Sequence, residues 1–107
     1  MDRITKLKEY LKTAQKDSFL QHALALEYMK VDRYKEAREL FNEILRREPT
    51  YIGSYFHLGK LLEKTGELSK ALQVYQKGME IAMEVKDYHS YRELDAAYED
   101  LKDIEPE

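Results

Sequence analysis

Residues 24–49 read LALEYMKVDRYKEARELFNEILRREP, and the residue types of this segment return thirty-four positions later in the chain. Leu24, Ala25, Tyr28, Ala37 and Phe41 are followed at that spacing by Leu58, Gly59, Leu62, Ala71 and Tyr75. In both copies the first three positions belong to a stripe with the spacing i, i+3, i+4 and i+7, which lies on one face of a helix. The later positions form a second stripe of this kind. The repetition therefore predicts two tandem pairs of helices.

Small side chains occupy matching positions in the two copies, at Ala25, Ala37, Gly59 and Ala71. They allow two antiparallel helices to pack closely, and we expect Phe41 and Tyr75 to fill the space between the helices. Enlarging a residue at such a close-packed position typically costs about 1–3 kcal/mol. These small residues are therefore predicted to be buried.

The thirty-four-residue period, the leucine followed by a small residue, and the later Ala, Phe and Pro together resemble the pattern of the tetratricopeptide repeat (TPR) family. The resemblance covers two repeats, from about Ser18 to Val85. It implies an all-α fold, a TPR-like helical-hairpin solenoid whose inner helices line a concave groove. It also implies that the protein binds a peptide or a helical segment of a partner, and it leaves the identity of that partner open.

The chain is predicted to form about six helices in a single TPR-like domain, residues 1–107. An N-terminal segment, residues 1–16, contains a helix capped by Asp2 that reaches about Ala14. Repeat 1, residues 18–49, contains helices at about 19–30 and 34–46. Repeat 2, residues 52–86, begins with a helix at about 51–64 and ends with one about a turn longer than its counterpart. A capping helix within residues 87–104 runs from about 88 to 103.

The turns inside the two repeats place Asp32 and Gly66 at equivalent positions. Gly adopts a left-handed backbone without steric cost, and Asp tolerates it better than most residues do. Both are therefore predicted to end a helix in that conformation. Pro49 prevents the preceding helix from continuing into repeat 2. At the end of repeat 2, Met83 occupies the position where the family pattern has proline.

The composition restricts the classes of function. A net charge of −3 and the absence of any Lys/Arg run longer than two residues argue against a nucleic-acid partner. The chain has no cysteine, so it offers neither disulfides nor thiolate ligands. No apolar run is long enough to span a bilayer, and the first residues lack a signal-peptide core. We expect a cytoplasmic protein with no membrane partner.

The sequence contains no recognisable catalytic motif. The chain has no Gly-rich phosphate loop and no His-Glu-x-x-His motif. Ser18, Thr50, Ser54 and Ser69 fall at predicted helix starts or exposed turns, where capping explains them. Acidic residues such as Glu36, Glu39 and Glu43 alternate with Lys and Arg, which is typical of a solvated helix face. The sequence predicts that the protein is not an enzyme and uses no cofactor.

The three histidines can be interpreted in two ways. His22 and His57 lie beside the core stripes of the two inner helices, and His89 begins the last helix. Imidazole is a common metal ligand, so a histidine-based metal-binding protein is one alternative. The other is that these are ordinary side chains of a peptide groove. Because no carboxylate or cysteine follows at ligand spacing, we predict no metal site.

The inner helices supply the predicted peptide-binding groove, as the resemblance implies. Its predicted residues flank the core stripes: Phe19, His22, Leu26, Met29, Lys30, Phe56, His57, Lys60, Lys64, Tyr91 and Arg92. In TPR proteins that bind chaperone tails, Lys and Asn residues clamp the terminal carboxylate. The matching positions here hold His22, Leu26 and His57, so that clamp is absent.

The leading hypothesis is thus a protein-protein interaction module that binds a peptide or helix in the concave groove. The alternative is a scaffold that forms homo-oligomers, because three or more repeats are usually needed for stability and this chain has two. The first helix fits either hypothesis. Its stripe of Ile4, Leu7 and Leu11 covers the end of the stack in one, and docks onto a second copy in the other.

Overall fold

The computed structural model describes residues 2–104; Met1 and residues 105–107 of the predicted domain lie outside that range. Within it the chain forms six helices and no strand. The helices are α1 (Arg3–Thr13), α2 (Ser18–Lys30), α3 (Tyr34–Arg47), α4 (Gly53–Lys64), α5 (Leu68–Glu84) and α6 (Tyr88–Ile104). None of the helices in this range has the length and apolar character that crossing a membrane requires.

The chain divides between Glu48 and Pro49 into two compact units, each with three helices. In the first unit, α2 packs against both α1 and α3. In the second unit, α5 packs against both α4 and α6, and α4 also contacts α6. The pairs α2–α3 and α4–α5 are the two helical hairpins that the sequence predicts, which confirms the all-α fold class.

The small residues of the repeat are buried, as predicted. Ala25, Ala37 and Ala71 have no exposed surface, and Gly59 is also buried. A Cβ atom placed on Gly59 would lie 2.1 Å from Cε1 of Tyr75. Because that ring is fully buried between α4 and α5, glycine at this position is what allows the second hairpin to close.

Three helices end in the same turn, in which one residue has a positive φ. Asp32 (φ 61°) and Gly66 (φ 80°) confirm the sequence prediction, and Lys86 (φ 61°) adds a third case after α5. In each turn the N–H after the left-handed residue donates to a carbonyl five residues earlier, which caps the helix. These bonds are Arg33 to Tyr28 (2.9 Å), Glu67 to Leu62 (2.8 Å) and Asp87 to Ala82 (2.8 Å).

The observed helix bounds agree closely with the predicted ones. Asp2 caps α1 through a 2.8 Å bond from the Thr5 N–H, as predicted. The 17 residues of α5 exceed the 14 of α3 by about one turn, again as predicted. α4 begins at Gly53, two residues later than the prediction of Tyr51.

The expectation that Ser18 and Ser54 serve as caps is wrong. Ser54 is completely buried, and Asp17 rather than Ser18 caps α2, through a 3.0 Å bond from the Leu20 N–H. Ser18 instead accepts a 2.8 Å bond from Arg47, which also donates to Gln21 at 2.6 Å. Because Ser18 and Gln21 are buried beside the end of α3, this network fixes α3 against α2.

Candidate functional site

An aromatic and cationic surface on α4 carries three of the predicted groove residues. Phe56, His57 and Lys60 are all half-buried, since they flank the core positions Tyr55, Leu58 and Gly59 of the same helix. The Lys60 ammonium lies 5.6 Å from the centre of the Phe56 ring, within cation–π range. The His57 ring meets the Phe56 ring edge-on at 5.4 Å. We call these three residues the α4 surface.

Glu63 connects the α4 surface to the core of the second unit. Its carboxylate lies 3.7 Å from the Lys60 ammonium and accepts a hydrogen bond from the Tyr75 hydroxyl. Burial, and then this bond to a carboxylate, raise the pKa of Tyr75, so the hydroxyl stays protonated and remains a donor. A buried core side chain therefore orients Glu63, and the Glu63 carboxylate forms an ion pair with Lys60.

The neutral form of His57 is favoured by its surroundings. Burial lowers its pKa below the usual 6.5, and the charge of Glu93 on α6 opposes that shift. Glu93 also lies 3.6 Å from Nε2 of the exposed His89. Among residues 2–104, no three His, Asp or Glu side chains come together in a group that would bind a metal ion.

The two predicted residues of α6 differ in their surroundings. Arg92 is exposed to solvent, whereas Tyr91 is half-buried and lines an open cleft of about 490 Å³ between α5 and α6. Gln76, Met79, Glu80 and Met83 form the α5 side of this cleft. Lys64, at the end of α4, is exposed. The cleft was not predicted from the sequence, although Met83 in place of the family's proline indicates that α5 continues there.

The first unit holds the other five predicted residues on α2. His22 packs its ring edge against Phe41 of α3, with ring centres 5.6 Å apart. Leu26 and Met29 are half-buried. Lys30 is exposed and lies 3.0 Å from Glu27, and Phe19 is 70% exposed at the first turn. Phe19, His22, Leu26 and Met29 thus form a row along α2 that ends at Lys30, and His22 is also part of the hairpin packing. We call these five residues the α2 row.

Comparison with known proteins identifies the family. The sequence pattern described as the tetratricopeptide repeat matches residues 28–94. This chain belongs to the tetratricopeptide repeat family. No curated protein matches it.

Solved structures of TPR proteins share the fold. A TPR domain protein from Salinibacter ruber, solved by NMR, is 35% identical over 85% of this chain and 92% of its own, with a TM-score of 0.82. A crystal structure of a TPR domain protein from that organism is 36% identical over 83% and 99% of the two chains, with a TM-score of 0.79. The TPR2B domain of yeast Sti1, solved as a complex with pHsp70, is 20% identical over 95% and 82%, with a TM-score of 0.88.

Proposed function

We propose that this TPR protein is an interaction module that binds a peptide or short helix of a partner protein. The surfaces proposed to bind are the α2 row in the first unit and, in the second, the α4 surface with Lys64, Tyr91 and Arg92. Membership of a family whose solved structures include a complex with pHsp70 supports this function. The proposal assigns the protein no catalytic role.

The single observation that carries the proposal is the arrangement of Phe56 and Lys60. An aromatic ring is held half-open on a helix, with an ammonium group 5.6 Å from its centre and a carboxylate behind it. Half-open aromatic side chains of this kind anchor peptides because they bury a large area at little cost in conformational entropy. Lys60 also places a positive charge beside this ring, where an acidic side chain of the partner could pair with it.

A peptide-display selection against the wild-type protein tests this function. Selected peptides should shift the backbone NMR resonances of Phe56, His57 and Lys60. Lys60→Glu should weaken their binding at least about tenfold, because it removes the cation at the anchor. Lys77→Glu is the matched control: Lys77 has an ion pair to Glu80 at 3.8 Å, with the same i,i+3 spacing as Lys60 and Glu63. Equal affinity of both variants and the wild type would contradict the proposed surface.

A further inference from the structure

The first and last helices carry opposite charge. α1 contains four Lys and Arg residues and one Glu, whereas α6 contains five Asp and Glu residues and two Lys and Arg. The asymmetry extends to the units that contain them. Eleven basic and nine acidic residues precede Pro49, and seven basic and twelve acidic residues follow from Pro49 onward. The two segments thus carry net charges of opposite sign.

The α5–α6 cleft is an apolar surface with an acidic margin. Met79, Met83 and Tyr91 line it, and Met83 is 50% exposed. Asp95 follows Tyr91 at i+4, so it lies on the same side of α6. Its carboxylate has no ion pair within residues 2–104. A ligand of this cleft would therefore combine an apolar or aromatic side chain with a nearby cation.

One edge of α1 has this chemistry. Tyr10 is 58% exposed although it belongs to a helix whose Leu7 is buried in the first unit. Lys6 precedes Tyr10 by one helical turn, is exposed, and has no ion pair among the described residues. An exposed aromatic ring and an unpaired ammonium group thus lie side by side, as the cleft requires.

From this complementarity we infer that copies of the chain associate head to tail, with the Lys6–Tyr10 edge of α1 in one copy docked in the α5–α6 cleft of the next. Tyr10 packs against Met79, Met83 and Tyr91, and Lys6 faces Asp95. Because the two surfaces differ, the contact is heterologous.

Charge reversal on both surfaces tests this association by sedimentation equilibrium. The wild-type protein should show a mass that rises with concentration. Lys6→Glu alone and Asp95→Lys alone should each raise the apparent dissociation constant at least about tenfold, because each places like charges together. An equimolar mixture of the two variants should associate again with nearly wild-type affinity, since each reversed surface then meets its reversed counterpart.

Two control variants separate this contact from a general effect of charge. Asp100→Lys makes the same change as Asp95→Lys, five residues further along α6 and turned by about 140° around the helix. Lys35→Glu makes the same change as Lys6→Glu on the exposed side of α3. Both controls should associate like the wild type. A wild-type protein that stays monomeric at about 1 mM, association that survives both reversals, or a mixture that does not recover would each overturn the inference.

Discussion

At the scale of single residues, Gly59 has the clearest structural requirement. Alanine usually stabilises a helix interior relative to glycine, by about 0.5–1 kcal/mol. Here its Cβ would lie 2.1 Å from the fully buried Tyr75 ring, so the clash exceeds that gain. Gly59→Ala should lower the free energy of unfolding by about 1–3 kcal/mol in urea titrations.

The exposed Gly53 offers the control for this prediction. Gly53→Ala should change stability by less than about 0.5 kcal/mol, as surface substitutions usually do. In a Tyr75→Leu background, which removes the ring, the cost of Gly59→Ala should shrink, and this coupling identifies the clash as its cause. Equal costs in both backgrounds would show that another contact limits the position.

A single residue, His57, makes the free energy of unfolding depend on pH. Its pKa is lowered in the folded protein by burial, so the unfolded chain binds the proton more readily. Neutral His57 therefore makes its full contribution to the free energy of unfolding above about pH 6.5, which is the pKa of histidine in the unfolded chain. That contribution is lost as the pH falls through the lower pKa of the folded protein. Urea titrations at pH 7.5 and 5.5 should show a decrease on acidification. His57→Gln should reduce that decrease, and an equal decrease in this variant would contradict the role of His57.

At the scale of the element, the turn between α5 and α6 differs from the other two left-handed turns, because its residue type does not favour that conformation. Lys86 has a φ of 61°, and a left-handed conformation costs an ordinary residue about 1–2 kcal/mol. Lys86→Gly should therefore stabilise the protein by about 0.5–1 kcal/mol. This gain is smaller than the full cost of the left-handed conformation, because glycine also loses more conformational entropy when the chain folds. The reverse change, Gly66→Ala, should destabilise by about 1 kcal/mol. Thermal unfolding measures both, and a less stable Lys86→Gly protein would contradict the argument.

The same turns show what the sequence could predict. Asp32 and Gly66 carry residue types that favour the left-handed region, so their turns were predictable, whereas lysine at position 86 has no such preference. Ser54 was misread because burial depends on tertiary neighbours that a helix-start pattern does not specify. The α5–α6 cleft was missed because its shape depends on how α6 packs on α5. The groove residues stay a prediction, since flanking a core stripe does not by itself establish a ligand.

At the scale of the whole molecule, the uneven charge gives self-association a characteristic response to salt. Raising the ionic strength from about 0.1 M to 1 M shortens the screening length from about 10 Å to about 3 Å. A head-to-tail contact joins basic α1 to acidic α6, so salt should weaken it. Two α5–α6 clefts docked on each other would instead bring two acidic helices together, and salt would strengthen that contact. Sedimentation equilibrium at the two salt concentrations therefore distinguishes the arrangements by sign, and stronger association at high salt would rule out the head-to-tail contact.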